Sequence, residues 1–171
     1  MIRETGGNIF LSNQKTLLVP CNAAGAMGKG LALAFKRRYF PHLFRVYRRY
    51  FPLVLDPIEL RAYTKRAYQL VSVELPRLKG QPPEAPDHRV LLFCTKYHWS
   101  ESADISLIAR NLETIRDDWQ RLGIKSLALP PIGCGLGGLD YKRDIRPLLF
   151  NYLGDDKFDV EVVGLTADDM S

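Results

Sequence analysis

The chain has 171 residues, of which 46% are hydrophobic and 25% charged, a composition typical of a soluble globular protein with one domain and a substantial core. No apolar run approaches the roughly 20 residues that cross a bilayer, and the N-terminus lacks the apolar stretch of a signal peptide; we therefore exclude a membrane-spanning protein and expect a cytoplasmic one. The net charge of +5 and the pI of about 9.2 favour a polyanionic substrate without requiring one.

The first part of the chain predicts two strands followed by two helices. Short strands are expected at residues 9–11 and 16–20, where apolar residues cluster. Residues 30–38 and 43–51 have helical patterning, and Phe40-Pro41 separates them because proline lacks the N–H group that a helix interior needs.

Strands and helices continue to alternate in the remainder. The predicted elements are strands at 66–73 and 89–95, a helix at 102–122, a strand at 126–132, a helix at 142–152 and a strand at 158–165. The helix at 102–122 has apolar residues three and four apart and ends at Gly123. The proline-rich segment 76–87 predicts a loop or a hairpin excursion. This alternation predicts an α/β sheet covered by helices on both faces, in a single domain over residues 1–171.

Two glycine-rich loops each follow an apolar run and precede a predicted helix. The first covers residues 22–30 (Asn-Ala-Ala-Gly-Ala-Met-Gly-Lys-Gly), and the second covers residues 132–138 (Ile-Gly-Cys-Gly-Leu-Gly-Gly). Glycine admits a ligand close to the backbone, and exposed N–H groups at a helix start bind anions. Since α/β sheets bind ligands outside the carboxyl ends of their strands, we expect both loops to meet at one diphosphate. For the second loop, a tight turn without a ligand is the alternative.

Neither loop is a standard nucleotide-binding motif. Gly133, Gly135 and Gly138 satisfy G-x-G-x-x-G, but too few residues follow them to build the two halves of a Rossmann domain. The first loop is not a Walker P-loop, because neither Ser nor Thr follows Lys29 and the glycine spacing differs.

The three cysteines, Cys21, Cys94 and Cys134, have long spacings and lie in or beside apolar runs. This pattern predicts buried thiols and neither a disulfide framework nor a zinc site, with a nucleophilic Cys134 as the alternative. No cluster of metal ligands is visible in the sequence, so we expect neither a metal ion nor another cofactor.

A basic segment extends from Lys36 to Arg66, where nine Lys or Arg residues stand against Asp56 and Glu59 and aromatic residues are interleaved. Such a segment is typical of nucleic-acid binding through phosphate contacts and base stacking. A solvated helix face whose aromatic residues lie in the core is the equally weighted alternative.

Taken together and in order, three segments resemble the macrodomain family. They are residues 19–32, which include Val-Pro-Cys-Asn and Gly-Ala-Met-Gly-Lys-Gly-Leu-Ala; Thr95-Lys96; and residues 129–141, Leu-Pro-Pro-Ile-Gly-Cys-Gly-Leu-Gly-Gly-Leu-Asp-Tyr. The branch most resembled contains the DNA ADP-ribosyl glycohydrolase antitoxins and the terminal ADP-ribose protein glycohydrolase of animals. The resemblance implies a three-layer α/β/α sandwich with a mixed central sheet and a cleft for ADP-ribose at the strand ends.

The resemblance also implies which residues hold ADP-ribose. The diphosphate and the distal ribose are expected against Gly133, Cys134, Gly135, Leu136, Gly137 and Gly138. The first loop closes on the distal ribose with Asn22, Gly25, Met27, Gly28, Lys29 and Gly30. Asn8 and Ile9 stand where the family has Asp-Ile or Asp-Leu at the adenine. The Asn8 amide accepts a hydrogen bond but carries no charge, so this departure affects adenine affinity.

Lys96 matches the lysine that acts at the anomeric carbon of the distal ribose in this branch. An unprotonated amine attacks an opened sugar aldehyde to form a Schiff base, whereas a protonated one orients or protonates the leaving group. The animal glycohydrolase has an Asp where this chain has Gly137, which weakens the covalent mechanism and favours a nucleic-acid substrate. A surface lysine without a role is the alternative.

Other residues near these motifs have two interpretations each. His98 is a rival general base or a hydrogen-bonded histidine at a strand end. Asp140 supplies a carboxylate or caps the following helix. Tyr97 and Trp99 flank a base attached to the ribose or pack in the core.

We therefore expect an ADP-ribosyl glycohydrolase that removes ADP-ribose from a modified macromolecule, with a DNA base as the favoured target. Its expected partners are ADP-ribose and ADP-ribosylated DNA, and the resemblance implies a functional pairing with an ADP-ribosyltransferase toxin. Since no further domain follows the last predicted strand, we do not expect neutralisation of a toxin by direct binding, and an enzymatic antidote is the alternative left open. The alternatives are a non-catalytic ADP-ribose-binding module and a hydrolase of O-acetyl-ADP-ribose or ADP-ribose 1″-phosphate.

Overall fold

A computed structural model of the chain describes residues 1–51, 53, 70–80 and 88–171. The strands of this part are β1 Ile2–Thr5, β2 Thr16–Asn22, β3 Leu70–Glu74, β4 Arg89–Lys96, β5 Ser126–Leu129 and β6 Asp159–Val163. The α-helices are α1 Gly30–Arg38, α2 His42–Tyr50, α3 Ile105–Asp118, α4 Arg146–Leu153 and α5 Ala167–Met170. A 3-10 turn at Ile9–Leu11 and a π-helical turn at Tyr141–Ile145 complete them.

The strands form one mixed sheet in the order β1-β6-β5-β2-β4-β3, in which β3 is antiparallel to β4 and the other neighbours are parallel. β2 lies in the middle of the sheet, and its apolar residues are typical of a parallel strand that is buried on both faces. The carboxyl ends of β2, β4 and β5 therefore meet at one edge, where the site is expected.

Helices cover both faces of the sheet. Neighbouring residues of a strand point to opposite faces, so each face has its own cluster of buried side chains. The cluster of buried side chains on one face includes Leu17 of β2, Phe35 of α1 and Tyr47 of α2. The cluster on the other face includes Leu18 of β2, Ile108 of α3 and Leu149 of α4. The three-layer α/β/α sandwich with a mixed sheet is confirmed.

One predicted strand is wrong. Residues 9–11 form a 3-10 turn because the Asn8 carboxamide oxygen accepts a hydrogen bond from the Phe10 N–H at 3.0 Å and caps the turn. The first strand is β1, which pairs with β6 at the edge of the sheet.

The helix predictions are confirmed with shifted ends. The break at Phe40-Pro41 separates α1 from α2. α3 begins at Ile105 because the Asp104 carboxylate accepts hydrogen bonds from the next turn. Tyr141–Ile145 and α4 together replace the single helix predicted at 142–152. No helix among the described residues is long and apolar enough to cross a membrane.

Three predictions are only partly covered by the described residues. Of the strand predicted at 66–73, residues 66–69 lie outside them and the remainder belongs to β3. The segment 76–87 is described as far as Gly80, where it has no helix or strand. Within the described part of the basic segment, the interleaved aromatic residues Phe35, Tyr39, Tyr47 and Phe51 are buried, whereas Phe40 and Tyr50 are exposed.

Candidate active site

A cavity of about 820 Å³ opens at the carboxyl ends of β2, β4 and β5. Both glycine loops contribute to its wall, together with the start of α1 and the segment after β4. The lining residues are 20–22, 26, 28–32, 95–96, 99–102, 130–131, 133 and 135–137. The described structure therefore brings the two loops to one cavity, in the size range of small-molecule sites.

The predicted site residues divide into two groups. Those that line the cavity are Asn22, Gly28, Lys29, Gly30, Lys96, Gly133, Gly135, Leu136 and Gly137. Those that do not are Asn8, Ile9, Gly25, Met27, His98, Cys134 and Gly138. Asn8 caps its own turn and Ile9 is buried in the core, so the described geometry gives no support to their predicted adenine contact.

The first glycine loop is held in shape by the side chain of Asn22. Its Oδ1 accepts a hydrogen bond from the Ala24 N–H at 3.0 Å, and its Nδ2 donates to the Ala26 carbonyl at 2.7 Å. The Tyr47 hydroxyl donates to Asn22 as well, with the carbonyl oxygen at 2.7 Å and Oδ1 at 3.0 Å. Because Nδ2 carries two hydrogens, this cavity-lining amide has one N–H without a partner among the described residues, which is available to a ligand.

Gly25 and Met27 belong to the packing of the loop. Gly25 has φ = +77°, and a Cβ there would lie 2.6 Å from the Phe51 carbonyl oxygen and 2.7 Å from the Leu53 nitrogen. The Arg48 guanidinium donates to the Gly25 carbonyl at 3.2 Å. Met27 is buried in the core. The closeness of the Phe51 and Leu53 backbone explains why a glycine stands at position 25.

The first turn of α1 faces the cavity with its backbone N–H groups available. No side chain among the described residues caps this helix, and its N-cap Lys29 is followed directly by the lining residues Gly30, Leu31 and Ala32. The first three N–H groups of a helix have no partner within it, and the helix dipole places partial positive charge there. The start of α1 is therefore suited to a phosphate.

The second glycine loop folds back on itself and on the segment after β4. Gly133 has φ = +73°, and its carbonyl accepts a hydrogen bond from the Leu139 N–H at 2.9 Å. A Cβ on Gly137 would collide with the Gly133 carbonyl oxygen and would lie 2.9 Å from the Ala103 Cβ. The Ala103 N–H donates to the Gly137 carbonyl at 3.0 Å. Packing thus requires glycine at both positions.

Gly28 and Gly135 are different, because the fold does not require them to be glycine. Neither has φ in the left-handed region, and a Cβ on either would meet no atom within 4 Å. Both line the cavity. The absence of a side chain at these positions leaves room for a ligand against the backbone.

Leu136 of the second loop lies close to Gly30 of the first and lines the cavity between them. Its side chain is 74% exposed, and its Cδ1 lies 4.0 Å from the position that a Cβ on Gly30 would take. A ligand between the loops would therefore meet an apolar side chain at this point.

Lys96 ends β4 on the cavity wall, where it is half-buried. In the parallel register it is opposite Asn22 of β2, after an irregularity between Cys21 and Asn22. Burial lowers the pKa of Lys96, and the nearby Glu101 carboxylate partly opposes this effect. A lowered pKa increases the fraction of free amine that this side chain presents to the cavity.

His98 is buried and does not line the cavity. Its Nδ1 accepts hydrogen bonds from the Ser100 N–H at 3.2 Å and from the Ser100 hydroxyl at 2.6 Å. Since a backbone N–H can only donate, the ring proton is on Nε2. The geometry supports the hydrogen-bonded alternative for His98 and gives its predicted general-base role no support.

The two aromatic residues beside His98 differ in position. Tyr97 packs against the core and its hydroxyl accepts a hydrogen bond from Arg110 at 2.9 Å, away from the cavity. Trp99 is 40% exposed and lines the cavity, and its ring lies 3.8 Å from that of His98.

The remaining candidates have structural roles. Burial raises the pKa of Cys134 to about 12, which disfavours the thiolate that a nucleophile needs. Cys21 and Cys94 are free, buried thiols with their Sγ atoms 3.7 Å apart, as predicted, whereas Cys134 is free but only half-buried. The Asp140 carboxylate caps the following turn by accepting a hydrogen bond from the Arg143 N–H at 2.7 Å. No group of three or more potential metal ligands occurs among the described residues.

Sequence reasoning missed part of the wall. Ser100, Glu101 and Ser102 line the cavity between Trp99 and the start of α3. Their position could have been predicted, because they form a polar loop between the end of β4 and Asp104, which caps α3. Loops that follow the strands of an α/β sheet lie at the carboxyl edge, where ligands bind.

Comparison with known proteins gives matches over most of the chain. A family model described as Macro domain matches residues 84–146. The chain is 35% identical over 150 residues to a DNA ADP-ribosyl transferase-DNA ADP-ribosyl glycohydrolase fusion protein of Thermosipho africanus, with 86% of this chain and 37% of that protein covered. It is 31% identical over 142 residues to a DNA ADP-ribosyl glycohydrolase of Mycobacterium tuberculosis, with 83% and 36% covered. The chain thus spans little more than a third of the length of these relatives.

Solved structures agree in fold. The macrodomain of Mycobacterium tuberculosis DarG superposes with a TM-score of 0.75 at 26% identity, covering 97% of this chain and 99% of that one. Thermosipho africanus DarTG in complex with ADP-ribose gives a TM-score of 0.75 at 31% identity, covering 95% of this chain and 40% of that one.

Proposed function

This chain belongs to the macrodomain family, and we propose that it is an ADP-ribosyl glycohydrolase that binds ADP-ribose in the cavity and releases it from a modified DNA base. One observation carries the proposal. Lys96, whose pKa is lowered by burial, lines the same cavity as the two glycine loops. In these loops, packing does not explain why Gly28 and Gly135 are glycine. The relatives named for DNA ADP-ribosyl glycohydrolase activity, and the related structure in complex with ADP-ribose, indicate the ligand.

The diphosphate of ADP-ribose fits the backbone of the cavity wall. The start of α1 presents uncapped N–H groups at Gly30, Leu31 and Ala32. From the facing loop, Gly135 leaves its backbone accessible. Such N–H groups bind phosphate oxygens without requiring a basic side chain. We assign the diphosphate to the space between these two segments, beneath Leu136.

Lys96 is the proposed catalytic residue, acting at the anomeric carbon of the distal ribose. The free amine is the nucleophilic form: it bonds to the anomeric carbon while the bond from this carbon to the base breaks and the base leaves with a proton. Water then hydrolyses the lysine adduct, which releases ADP-ribose and the free amine. The desolvation that lowers the pKa of Lys96 raises the fraction of this form. Glu101 on the same wall partly stabilises the protonated form, so the two side chains together set the protonation state.

The surface beside the first glycine loop suits a polynucleotide. No Asp or Glu occurs between Glu4 and Asp56. Arg45 and Arg49 are exposed one turn apart on α2, and Arg48 joins the end of this helix to Gly25. Since most of the described aromatic residues here are buried, the surface offers phosphate contacts more than base stacking.

A functional partner follows from this activity. The Thermosipho africanus relative is named as a fusion of a DNA ADP-ribosyl transferase with a DNA ADP-ribosyl glycohydrolase. We propose that this chain removes the ADP-ribose that such a transferase attaches to DNA.

The experiment that tests the proposal compares two substrates, an ADP-ribosylated oligodeoxynucleotide and an ADP-ribosylated protein, and measures the free ADP-ribose released. We expect the wild-type protein to release ADP-ribose from the oligodeoxynucleotide, and Lys96→Ala to bind ADP-ribose without turnover. Lys125→Ala, an exposed lysine just before β5, is the matched control and should retain full activity. Turnover by Lys96→Ala equal to that of the wild type would exclude Lys96 as the catalytic residue. Binding of ADP-ribose without turnover by the wild type would instead identify the chain as a non-catalytic ADP-ribose-binding module.

A further inference from the structure

We propose that Trp99 is the floor of a nucleobase subsite beside Lys96, so that the protein recognises the DNA base attached to the distal ribose as well as ADP-ribose. This inference rests on the proposed function and adds to it a residue that selects the substrate.

The exposure of Trp99 is the first observation. An indole normally contributes a large buried apolar surface. Trp119, the other tryptophan of the chain, packs against a core cluster with its ring 5.7 Å from that of Phe158. Trp99 instead keeps 40% of its surface exposed and lines the cavity. The fold therefore leaves a large apolar ring partly exposed on the cavity wall.

The second observation is that the Trp99 ring packs against the ring of a buried residue, His98. The His98 ring lies 3.8 Å from the Trp99 ring, centroid to centroid, with an interplanar angle of 34°. His98 itself is 4% exposed and is fixed by two hydrogen bonds from Ser100. A buried, hydrogen-bonded ring under a partly exposed one makes a rigid platform, which lowers the entropy lost when a base stacks on it. His98 is thus a positioning residue for Trp99.

The third observation is the position of Trp99 relative to the reacting bond. Lys96 and Trp99 lie three residues apart on the same wall of the cavity. In the proposed reaction, the base is bonded to the anomeric carbon on which Lys96 acts. A base leaving that carbon therefore lies within reach of the indole, whereas the adenine is separated from this carbon by the diphosphate and the second ribose.

Polar side chains adjoin the same platform and suit the edge of a base. Ser102 carries a hydroxyl group, which both donates and accepts hydrogen bonds, and Glu101 carries a carboxylate, which accepts them. The Ser100 hydroxyl donates its hydrogen to His98 and can still accept a hydrogen bond from a base. Bases extruded from a strand are recognised by stacking on an aromatic side chain together with hydrogen bonds to their edges. Trp99 and its polar neighbours provide both kinds of group.

The test compares Trp99→Ala and Trp99→Leu with the wild type on three measurements. They are kcat/KM for an ADP-ribosylated oligodeoxynucleotide, kcat/KM for a protein that carries ADP-ribose on a carboxylate side chain, and the Kd of free ADP-ribose. Leucine keeps apolar bulk but has no ring for stacking, so it separates stacking from simple loss of volume. Phe150→Ala is the matched control, because Phe150 is 41% exposed on α4 and does not line the cavity.

We expect both Trp99 variants to lose roughly tenfold to a hundredfold in kcat/KM on the oligodeoxynucleotide, the range that one base stack provides. The Kd of ADP-ribose should stay within about twofold, and the protein substrate, which has no base at this carbon, should be affected far less. Phe150→Ala should match the wild type throughout.

A spectroscopic measurement gives an independent readout. In a Trp119→Phe background, Trp99 is the one remaining tryptophan, so its fluorescence reports stacking directly. Adding Lys96→Ala to this background prevents turnover. The modified oligodeoxynucleotide should then quench the fluorescence, and free ADP-ribose should quench it far less.

Three results would overturn the subsite. Unchanged oligodeoxynucleotide turnover in both Trp99 variants would leave Trp99 without a role, although the proposed function would stand. An equal loss of free ADP-ribose affinity would assign the indole to the adenine. Failure of the wild-type protein to release ADP-ribose from any substrate would instead overturn the proposed function, and the subsite with it.

Discussion

Asn22 and Lys96 lie opposite each other at the ends of the neighbouring parallel strands β2 and β4, and the Ala23 N–H beside them donates to the Lys96 carbonyl at 3.2 Å. Asn22 shapes the first glycine loop through its side chain, while Lys96 presents its amine to the same cavity. The pairing of β2 with β4 therefore fixes both the loop proposed to hold the ligand and the amine proposed to act on it. A movement of either strand end would displace both.

Removing the Asn22 side chain should weaken both the fold and the site. We expect Asn22→Ala to lower the free energy of unfolding by about 1–3 kcal/mol, because groups in the loop lose hydrogen-bond partners. The Kd of ADP-ribose should rise as the loop loses its shape. Tyr47→Phe removes one hydroxyl from the same network and should cost less, about 0.5–1.5 kcal/mol. Chemical denaturation measures both; equal stability of Asn22→Ala and the wild type would contradict the role of Asn22.

The glycines of the two loops should separate into two classes when changed to alanine. Gly28→Ala and Gly135→Ala should stay within about 1 kcal/mol of wild-type stability, since their added Cβ meets open space, but should lose at least tenfold in ADP-ribose affinity. Gly137→Ala should be destabilised by about 1–3 kcal/mol, because its Cβ collides with the Gly133 carbonyl. Thermal unfolding and calorimetric titration distinguish the classes, and wild-type affinity in Gly28→Ala and Gly135→Ala would show that no ligand approaches there.

The pH profile of turnover should depend on Lys96 and Glu101. Burial lowers the pKa of Lys96, so the free amine accumulates at a lower pH than for an ordinary lysine. If the free amine is the active form, kcat/KM rises as the pH increases through this pKa. Glu101 raises the pKa of Lys96, so Glu101→Gln should move the midpoint of the rise to lower pH.

Glu113→Gln, which removes an exposed carboxylate of α3, is the control and should leave that midpoint unchanged. A profile that falls with pH through the same midpoint would assign the activity to the protonated lysine. A midpoint that Glu101→Gln does not move would contradict the electrostatic coupling.

The salt dependence of oligodeoxynucleotide binding should report the basic surface of α2. Each phosphate contact adds about 0.7–0.9 to the slope of log K against log salt concentration. We expect Arg45→Ala/Arg49→Ala to reduce this slope by about one to two contacts, with little change in the Kd of free ADP-ribose. Lys125→Ala/Lys157→Ala removes two cations just before β5 and β6, at the opposite edge of the sheet, and should leave the slope unchanged. An unchanged slope in the Arg45/Arg49 variant would place the polynucleotide elsewhere.

The strand-helix alternation and the position of both glycine loops were predictable, because apolar periodicity and glycine spacing are local properties. The missed features depend on contacts that are not local. The glycine at position 25 is explained by the backbone atoms of Phe51 and Leu53, which lie close to it although they come much later in the chain. The strand predicted at residues 9–11 failed for a local reason, since the hydrogen bond from Phe10 to Asn8 outweighs the apolar pattern.

Titration of ADP-ribose into the folded protein, followed by isothermal calorimetry, tests the central claim most directly. Saturable heat for one site, retained by Lys96→Ala and lost or strongly weakened in Gly135→Ala, is the predicted result. A folded wild-type protein that gives no heat with ADP-ribose would contradict the claim that the two glycine loops form its binding site.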